Sequence, residues 1–335
     1  MVEADAPGKL VICGEYAVLA GAPAIAVAVD VRARAQVIRT AGPCHFEVAG
    51  AGSWSFAWDA RGLPCWPDRP DGGRGLVLDA LAATLAEAGL ALHQGVSIRL
   101  DTQAFHAPGG GKLGLGSSAA ITAALAAALC AAVGRPLATG TLFELARLAH
   151  LRLQGGNGSG IDVAAAVHGG IVGLVPGQEV EVLGWPAGLH WLAAWSGYGA
   201  ATPPLLARFN AYRRRSGAAG EALVGQLCQA AQAALRAWQG GEAAAVLAAL
   251  ARYRDALAAL DAGARIGIVT RAHRRLAALA ADAGCLYKTS GAGGGDFGLV
   301  LAADAAAIGQ ATRALAGAGV MVLAGGRGAP GLLLR

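Results

Sequence analysis

Apolar and polar positions divide the chain into a strand-rich beginning and a helix-rich second half. Residues 22–37 and 53–58 are β-rich, and both alternate apolar and polar side chains over part of their length. Proline and glycine make 61–74 a predicted loop. The pattern then predicts helices at 76–88, from Ser117 onward, at 141–153 and from Ile161, a strand at 95–101, and a hairpin of strands at 170–175 and 180–183.

After a strand at 190–195, apolar residues recur every three to four positions over long stretches. This spacing predicts helices at 203–215, 221–238, 242–260 and 266–283. Two strands, at 298–301 and 320–323, flank a further helix at 303–316. A chain of this length favours two domains, with the boundary between residues 176 and 200.

Composition excludes two classes of protein. The chain is 55% hydrophobic and 15% charged, whereas disordered chains combine low hydrophobicity with high charge. Glycine accounts for 51 of 335 residues without the strict period of collagen. The glycines therefore need a local explanation.

Charge and targeting features favour a cytoplasmic protein that acts on a small molecule. The net charge of +5 fits a phosphorylated ligand, and the arginines at 213–215 and 271–275 are spaced like solvated helix faces, so we expect no nucleic acid. The six cysteines form no CxxC pair, and we expect free thiols. Residues 1–7 lack a secretory signal. The uncharged stretch 113–134 is mainly alanine, which predicts a buried helix and no membrane span.

The first glycine-containing motif is PGKLVICGEY at 7–16. Lys9 opens an apolar strand, although lysine is rarely buried unless it is paired. Lys9 could contact a transferred phosphoryl group, or it could be an exposed lysine at the edge of a strand. The local sequence leaves both open.

The second motif, PGGGKLGLGSSAA at 108–120, combines many glycines with a serine pair at the start of a helix. Glycines let the backbone approach an anion, and the free N–H groups of a helix N-terminus attract phosphate. The loop differs from a Walker A motif, which has GK[ST] at the helix entry. It predicts a phosphate site, with a serine-capped helix after a flexible loop as the alternative.

Two further segments carry weaker signals. SGAGGGDFG at 290–298 could press against a ligand or another loop, or it could be a flexible hairpin connection. Asp162 follows the GSG turn at 158–160. It could reach a phosphoryl-transfer site or only stabilise a helix start.

Together and in this order, the motifs resemble the GHMP kinase superfamily. APGKLVICGEYAVL resembles its first motif, GLGSSAA its ATP phosphate loop, and SGAGGGDFG its third motif. Within the superfamily, GEY, GNGSGIDVAAAVHGG, Asp296 and WSGYGAATPPLL resemble the phosphomevalonate kinase group. Mevalonate kinases carry a metal-binding glutamate about a dozen residues before the aspartate, but 149–160 contains no carboxylate and Glu144 is the nearest.

The resemblance implies an α+β fold of two domains. Residues 1–185 would form an N-terminal domain with a mixed sheet, helices and the ATP phosphate loop. Residues 186–335 would form a ferredoxin-like α/β sandwich with extra helices. A homodimer is a further expectation.

The resemblance also implies an ATP- and Mg²⁺-dependent kinase that phosphorylates the 5-phosphate of mevalonate 5-phosphate. Lys9 and Asp162 would be catalytic, with Lys9 bridging donor and acceptor. A phosphate acceptor is already ionised near neutral pH, so Asp162 would orient groups, whereas an alcohol acceptor would need a base. The implied ATP-binding residues are Lys112, Gly114, Leu115, Gly116, Ser117 and Ser118, the implied substrate-binding residues are Tyr16, Ser159, Ser196, Gly291, Ala292 and Gly293, and the implied metal ligands are Ser117 and Ser118.

Other functions stay open from the sequence. A kinase of the same superfamily could act on mevalonate or on a sugar. A catalytically silent, metabolite-binding homologue is another alternative, although such proteins tend to lose residues like Lys9 and Asp162. The tryptophans between residues 54 and 66 could stack on adenine, or they could be ordinary packing.

Overall fold

The computed structural model describes residues 1–335 and contains two β-sheets with helices packed against them. The strands are β1 (Val2–Cys13), β2 (Ala24–Arg39), β3 (Cys44–Val48), β4 (Gly52–Trp58), β5 (Pro64–Cys65), β6 (Val96–Asp101), β7 (Ile171–Leu174), β8 (Glu181–Leu183), β9 (His190–Trp195), β10 (Leu286–Thr289), β11 (Phe297–Ala302), β12 (Val322–Ala324) and β13 (Leu333–Leu334). The helices are α1 (Leu76–Glu87), α2 (Ser117–Ala132), α3 (Thr139–Leu153), α4 (Ile161–His168), α5 (Thr202–Arg215), α6 (Gly217–Gly240), α7 (Ala243–Ala264), α8 (Arg271–Asp282) and α9 (Ala305–Gly317).

The larger sheet has nine strands in the order β13-β1-β2-β6-β3-β4-β5, with β7 paired to β2 and β8 paired to β7. It is a mixed sheet, because β3 runs parallel to β6 while the other pairs are antiparallel. The predicted hairpin of β7 and β8 is present. Helices α2 and α4 pack against β1 and β2, which buries β1 almost along its whole length.

Helix α2 is the centre of the first half of the chain. Every residue from Ala119 to Cys130 is buried, and its many alanines let neighbouring elements approach closely. This confirms the prediction of a buried helix in the uncharged stretch. None of the helices combines the length and the apolarity needed to cross a membrane.

The smaller sheet has four antiparallel strands in the order β10-β11-β9-β12. Along the chain, helices α5 to α8 connect β9 to β10, β11 follows β10 directly, and α9 connects β11 to β12. This order is the predicted ferredoxin-like topology. Helices α8 and α9 cover one face, where Leu276 and Leu315 pack on Leu192 and Val300. The other face joins the main core.

The chain ends on the larger sheet. Strand β13 pairs antiparallel with β1, with Asp5 opposite Leu333. Residues after β12 therefore leave the smaller sheet and return to the first half. The division of the domains at residue 185 stays a prediction.

One predicted element is wrong in part. The apolar spacing predicts a helix over 266–283, but α8 begins only at Arg271. The Asp261 carboxylate accepts hydrogen bonds from the backbone N–H groups of Gly267, Ile268 and Val269, at 2.7, 3.0 and 2.9 Å. These bonds hold the segment before Thr270 out of the helix, and the Thr270 side chain then caps α8.

Candidate active site

Lys9 and Asp162 face each other at the junction of β1 and α4. The Lys9 Nζ atom lies 3.5 Å from Asp162 Oδ2. Helix α4 packs against β1, and Asp162 lies in its first turn, so the helix start is next to the strand. Lys9 is only 8% exposed, which excludes the alternative of a surface lysine at a strand edge. A buried lysine needs a counter-charge, and Asp162 supplies it.

The glycine loop before α2 ends directly against this ion pair. The Lys9 N–H donates to the Leu115 carbonyl oxygen at 2.8 Å. Gly116 adopts the left-handed conformation with φ +81°, and a Cβ atom there would lie 3.1 Å from Lys9 Cε and 3.7 Å from Asp162 Oδ2. Helix α2 starts at the next residue, Ser117, and no side chain caps it. Its free N–H groups are therefore available to an anion, beside a lysine.

Ser118 in the first turn of α2 is held by a histidine that the motif search missed. The Ser118 Oγ atom lies 3.0 Å from His150 Nε2 on α3. Burial lowers the His150 pKa, Asp162 acts to raise it, and Lys9 acts to lower it further. His150 lies within residues 149–160, where the resemblance to mevalonate kinases points to a metal-binding carboxylate and this chain has none. A pattern of carboxylates alone does not identify this imidazole.

The third motif reaches the same place from the second half of the chain. The Tyr16 hydroxyl donates to the Ala292 carbonyl oxygen at 2.6 Å. The Ser290 Oγ atom accepts from the Val11 N–H at 2.8 Å and donates to the Val11 carbonyl oxygen at 3.0 Å. A Cβ atom on Gly291 would lie 3.9 Å from Lys9 Nζ. The loop therefore packs against the first motif, next to Lys9.

These segments enclose a pocket of about 170 Å³. Its lining includes Lys9, Tyr16, Ser159, Asp162, Gly291 and Ala292. Ser159 and its neighbour Gly158 also line a groove of about 1130 Å³ that contains Arg147. The pocket lining thus contains one lysine, Lys9, two carboxylates, Glu15 and Asp162, and the start of α4 at Ile161. A lysine beside a carboxylate suits the transfer of a charged group.

Comparison with known proteins agrees with this arrangement. Residues 75–170 match the family described as GHMP kinases N terminal domain. The chain is 32% identical over 341 residues to the phosphomevalonate kinase of Streptomyces sp. (strain CL190), covering 88% of each chain. The chain belongs to the GHMP kinase family. It is therefore an ATP-dependent phosphotransferase, as the motifs predict.

Two solved structures share the fold of this GHMP kinase. The Lin0012 protein from Listeria innocua has a TM-score of 0.87 at 23% identity, covering 100% of this chain and 99% of its own. Streptococcus pneumoniae phosphomevalonate kinase in complex with phosphomevalonate and AMPPNP has a TM-score of 0.77 at 21% identity, covering 96% and 98%. The predicted α+β fold of this family, with two domains, is confirmed.

Two of the predicted substrate-binding residues of the kinase lie outside the lining of the pocket. Ser196 donates through Oγ to the Tyr198 carbonyl oxygen at 3.1 Å and lines a separate cavity beside Arg275. Gly293 faces away, because a Cβ atom there would lie 2.4 Å from Ile268 Cγ2. Both stay predictions that depend on the resemblance.

The remaining predicted nucleotide contacts are Lys112 and the tryptophans between residues 54 and 66. Lys112 is exposed and forms an isolated β-bridge with His106. Trp66 packs on Phe46 and Phe56, and its Nε1–H donates to Asp79 at 2.9 Å. Trp54, Trp58 and Trp66 of this kinase therefore take part in one aromatic cluster, in agreement with the packing alternative.

Proposed function

We propose that this kinase transfers the γ-phosphoryl group of ATP to the phosphate of mevalonate 5-phosphate, giving the 5-diphosphate and ADP. The observation that carries the proposal is the Lys9–Asp162 pair, 3.5 Å apart, at the uncapped start of α2. The similarity to the Streptomyces phosphomevalonate kinase, which is covered over 88% of its length, supports the choice of acceptor. A second phosphomevalonate kinase, from Saccharolobus solfataricus, is 31% identical over 51% of this chain.

Catalysis in this arrangement consists of positioning and charge neutralisation. The N–H groups at the start of α2, together with Ser117 and Ser118, hold the phosphates of ATP. The Lys9 ammonium bridges the donor and acceptor oxygens and stabilises charge in the transition state. Asp162 fixes the position of Lys9. It need not remove a proton, because an acceptor phosphate has a second pKa near ~6 and is largely ionised at neutral pH.

The site fits a magnesium ion that is held mainly by the nucleotide. No cluster of three histidine, cysteine, aspartate or glutamate residues in the structure could hold a metal alone. Mg²⁺ bound with nucleotides commonly takes only one or two protein ligands and completes its shell with phosphate oxygens and water. The hydroxyls of Ser117 and Ser118 suit this arrangement. Bound there, Mg²⁺ would neutralise charge between the β- and γ-phosphates.

The acceptor would occupy the 170 Å³ pocket. Tyr16, Ser159, Gly291 and Ala292 would contact it there, and the predicted substrate contacts of Ser196 and Gly293 would lie outside this pocket lining. The N-terminal domain, residues 1–185, would supply the nucleotide site, and the loop of the C-terminal domain, residues 186–335, would close the acceptor side.

The test is ADP release measured side by side with mevalonate and with mevalonate 5-phosphate. We expect rapid turnover only with the phosphorylated compound. A mevalonate kinase from Methanothermobacter thermautotrophicus is also 32% identical over 53% of this chain, so an alcohol acceptor is the second candidate. Rapid turnover of mevalonate alone would replace our proposal with that one.

A further inference from the structure

Asp296, in the third motif, has an unusual backbone conformation. Its φ is +58°, which few residues other than glycine adopt. Aspartate and asparagine tolerate this region better than other side chains, but a strained residue persists only when its surroundings hold it there. The position sits in a run of glycines, GGGD, where another glycine would fit the backbone without strain. Glycine would therefore satisfy the backbone at this position, and what the aspartate adds is its side chain.

The segment after β9 holds Asp296 from one side. Its carboxylate Oδ1 accepts from the Ala200 N–H at 2.8 Å. Its own N–H donates to the Tyr198 carbonyl oxygen at 2.9 Å, and its carbonyl oxygen accepts from the Ser196 N–H at 2.8 Å. These three bonds fix both the backbone and the side chain.

On the other side, the Asp296 carboxyl group lies against the phosphate loop. A Cβ atom on Gly114 would lie 2.1 Å from Asp296 Cγ and 2.3 Å from Oδ2. Gly114 also has φ +77°, so both its conformation and the space around it require glycine. Three residues further on, Ser117 starts α2. The carboxyl group therefore supports the loop just ahead of the anion site.

We propose that Asp296 is a positioning residue for the ATP phosphate loop, which it supports by packing its side chain against Gly114 while Ala200 holds that side chain in place. The proposal rests on the proposed assignment of this loop to ATP. The side chain supports the loop by filling the space next to Gly114, and the hydrogen bond from Ala200 keeps it there. Neither contact requires a negative charge. An asparagine oxygen can accept the same hydrogen bond and fill the same space, so it should substitute for the carboxylate.

The test compares two substitutions at this position. Asp296→Gly suits the left-handed backbone and removes only the side chain, whereas Asp296→Asn keeps its shape. We measure AMPPNP binding by calorimetry and the KM values for ATP and acceptor. We expect Asp296→Gly to raise the AMPPNP Kd and the ATP KM about tenfold, with the acceptor KM within about twofold, and Asp296→Asn to stay within about threefold of wild type.

Two controls separate the possible failures. Asp304→Ala removes a comparable carboxylate, which accepts from the Ala306 N–H at 2.9 Å at the start of α9, and should leave both KM values unchanged. Ser117→Ala tests the phosphate loop itself. If Ser117→Ala weakens AMPPNP binding and Asp296→Gly does not, the proposal for Asp296 is overturned. If neither variant affects AMPPNP, the assignment of the loop to ATP fails as well.

A pair of substitutions tests the contact directly. Gly114→Ala alone should abolish AMPPNP binding because of the overlap with Asp296. In the double variant with Asp296→Gly the overlap is gone, and only the backbone strain remains. We expect the double variant to bind AMPPNP more tightly than Gly114→Ala alone. Additive effects of the two changes, or an Asp296→Asn variant as impaired as Asp296→Gly, would contradict steric support.

Discussion

Lys288 and Glu15 form a buried ion pair that joins the two halves of the chain. The Lys288 Nζ atom on β10 lies 2.6 Å from Glu15 Oε1, and the two residues are 273 positions apart. Their side chains are 0% and 2% exposed. The Gly291 N–H also points to Glu15 Oε1 at 3.3 Å, and the Tyr253 hydroxyl donates to the Glu15 carbonyl oxygen at 2.7 Å. The pair therefore ties the first motif to the third.

Removing one partner of this pair should destabilise the fold strongly. Lys288→Met keeps the length of the side chain but leaves the Glu15 carboxylate buried without a counter-charge, which costs about 3–5 kcal/mol. The double variant Lys288→Met with Glu15→Gln should be more stable than Lys288→Met alone, because it contains no unpaired charge. Urea denaturation measures both.

An exposed ion pair gives the matched control. Arg99 and Glu47 lie 3.1 Å apart with side chains 54% and 43% exposed. Glu47→Gln should cost no more than about 1 kcal/mol. Equal losses for Lys288→Met and Glu47→Gln would contradict a structural contribution of the buried pair.

The sequence predicts the local features of this protein well because they depend on neighbouring residues. Apolar spacing identifies α3 and α9 to within a few residues, the uncharged alanine-rich stretch identifies α2, and the glycine motifs identify the loops around Lys9. Helix α8 begins later than predicted because the Asp261 carboxylate captures three backbone N–H groups of the preceding segment. A periodicity of apolar residues contains no information about that competition.

Contacts between distant segments explain what the sequence does not predict. The pairing of Glu15 with Lys288 and of Ser118 with His150 depends on packing of strands and helices that no local pattern specifies. The resemblance to a family predicts that Lys9 and Asp162 act at one site, and in the structure their charged groups lie 3.5 Å apart. The same resemblance suggests Ser196 for the acceptor pocket, whereas Ser196 lines another cavity.

Replacing Lys9 tests the positive charge at the centre of the site. Lys9→Met should lower kcat by about a thousandfold, since the ammonium would act chiefly on the transition state. The apolar stem still fits the buried position and the Asp162 side chain is 30% exposed to water, so the melting temperature should fall far less than in Lys288→Met. Lys112→Met, at an exposed lysine of the phosphate loop, is the control and should change mainly the ATP KM. Near-normal kcat in Lys9→Met would remove Lys9 from the mechanism.

Replacing Asp162 distinguishes a base from an orienting group. Asp162→Asn should lower kcat with mevalonate 5-phosphate by only about ten- to a hundredfold, because the acceptor phosphate needs no base. An alcohol kinase with the same change should lose nearly all turnover. Steady-state kinetics from about pH 6 to 9 on both kinds of enzyme decides between them. Wild-type turnover in Asp162→Asn would exclude any function for this carboxylate.

Buried histidines should make the stability of the fold depend on pH. His273 is fully buried, with Nε2 2.9 Å from the Gly295 carbonyl oxygen and Nδ1 2.6 Å from the Tyr287 hydroxyl. Burial lowers its pKa from 6.5, and burial likewise lowers the pKa values of His150 and His168. The unfolded chain therefore binds protons more readily than the folded protein. The contribution to stability is complete above about pH 6.5 and is lost as the pH falls below it.

The variant His273→Gln isolates this effect, because its amide can still donate to the Gly295 carbonyl oxygen but does not titrate. Urea denaturation of wild type and variant at about pH 7.5, 6.5 and 5.5 gives the free energy of unfolding of each. We expect the difference in free energy of unfolding between wild type and variant to narrow as the pH falls, since only the wild-type fold has to keep this imidazole neutral. Asp296, whose pKa burial raises, is present in both proteins and cancels from the difference. A gap that stays constant down to pH 5.5 would show that protonation of His273 does not oppose folding in this range.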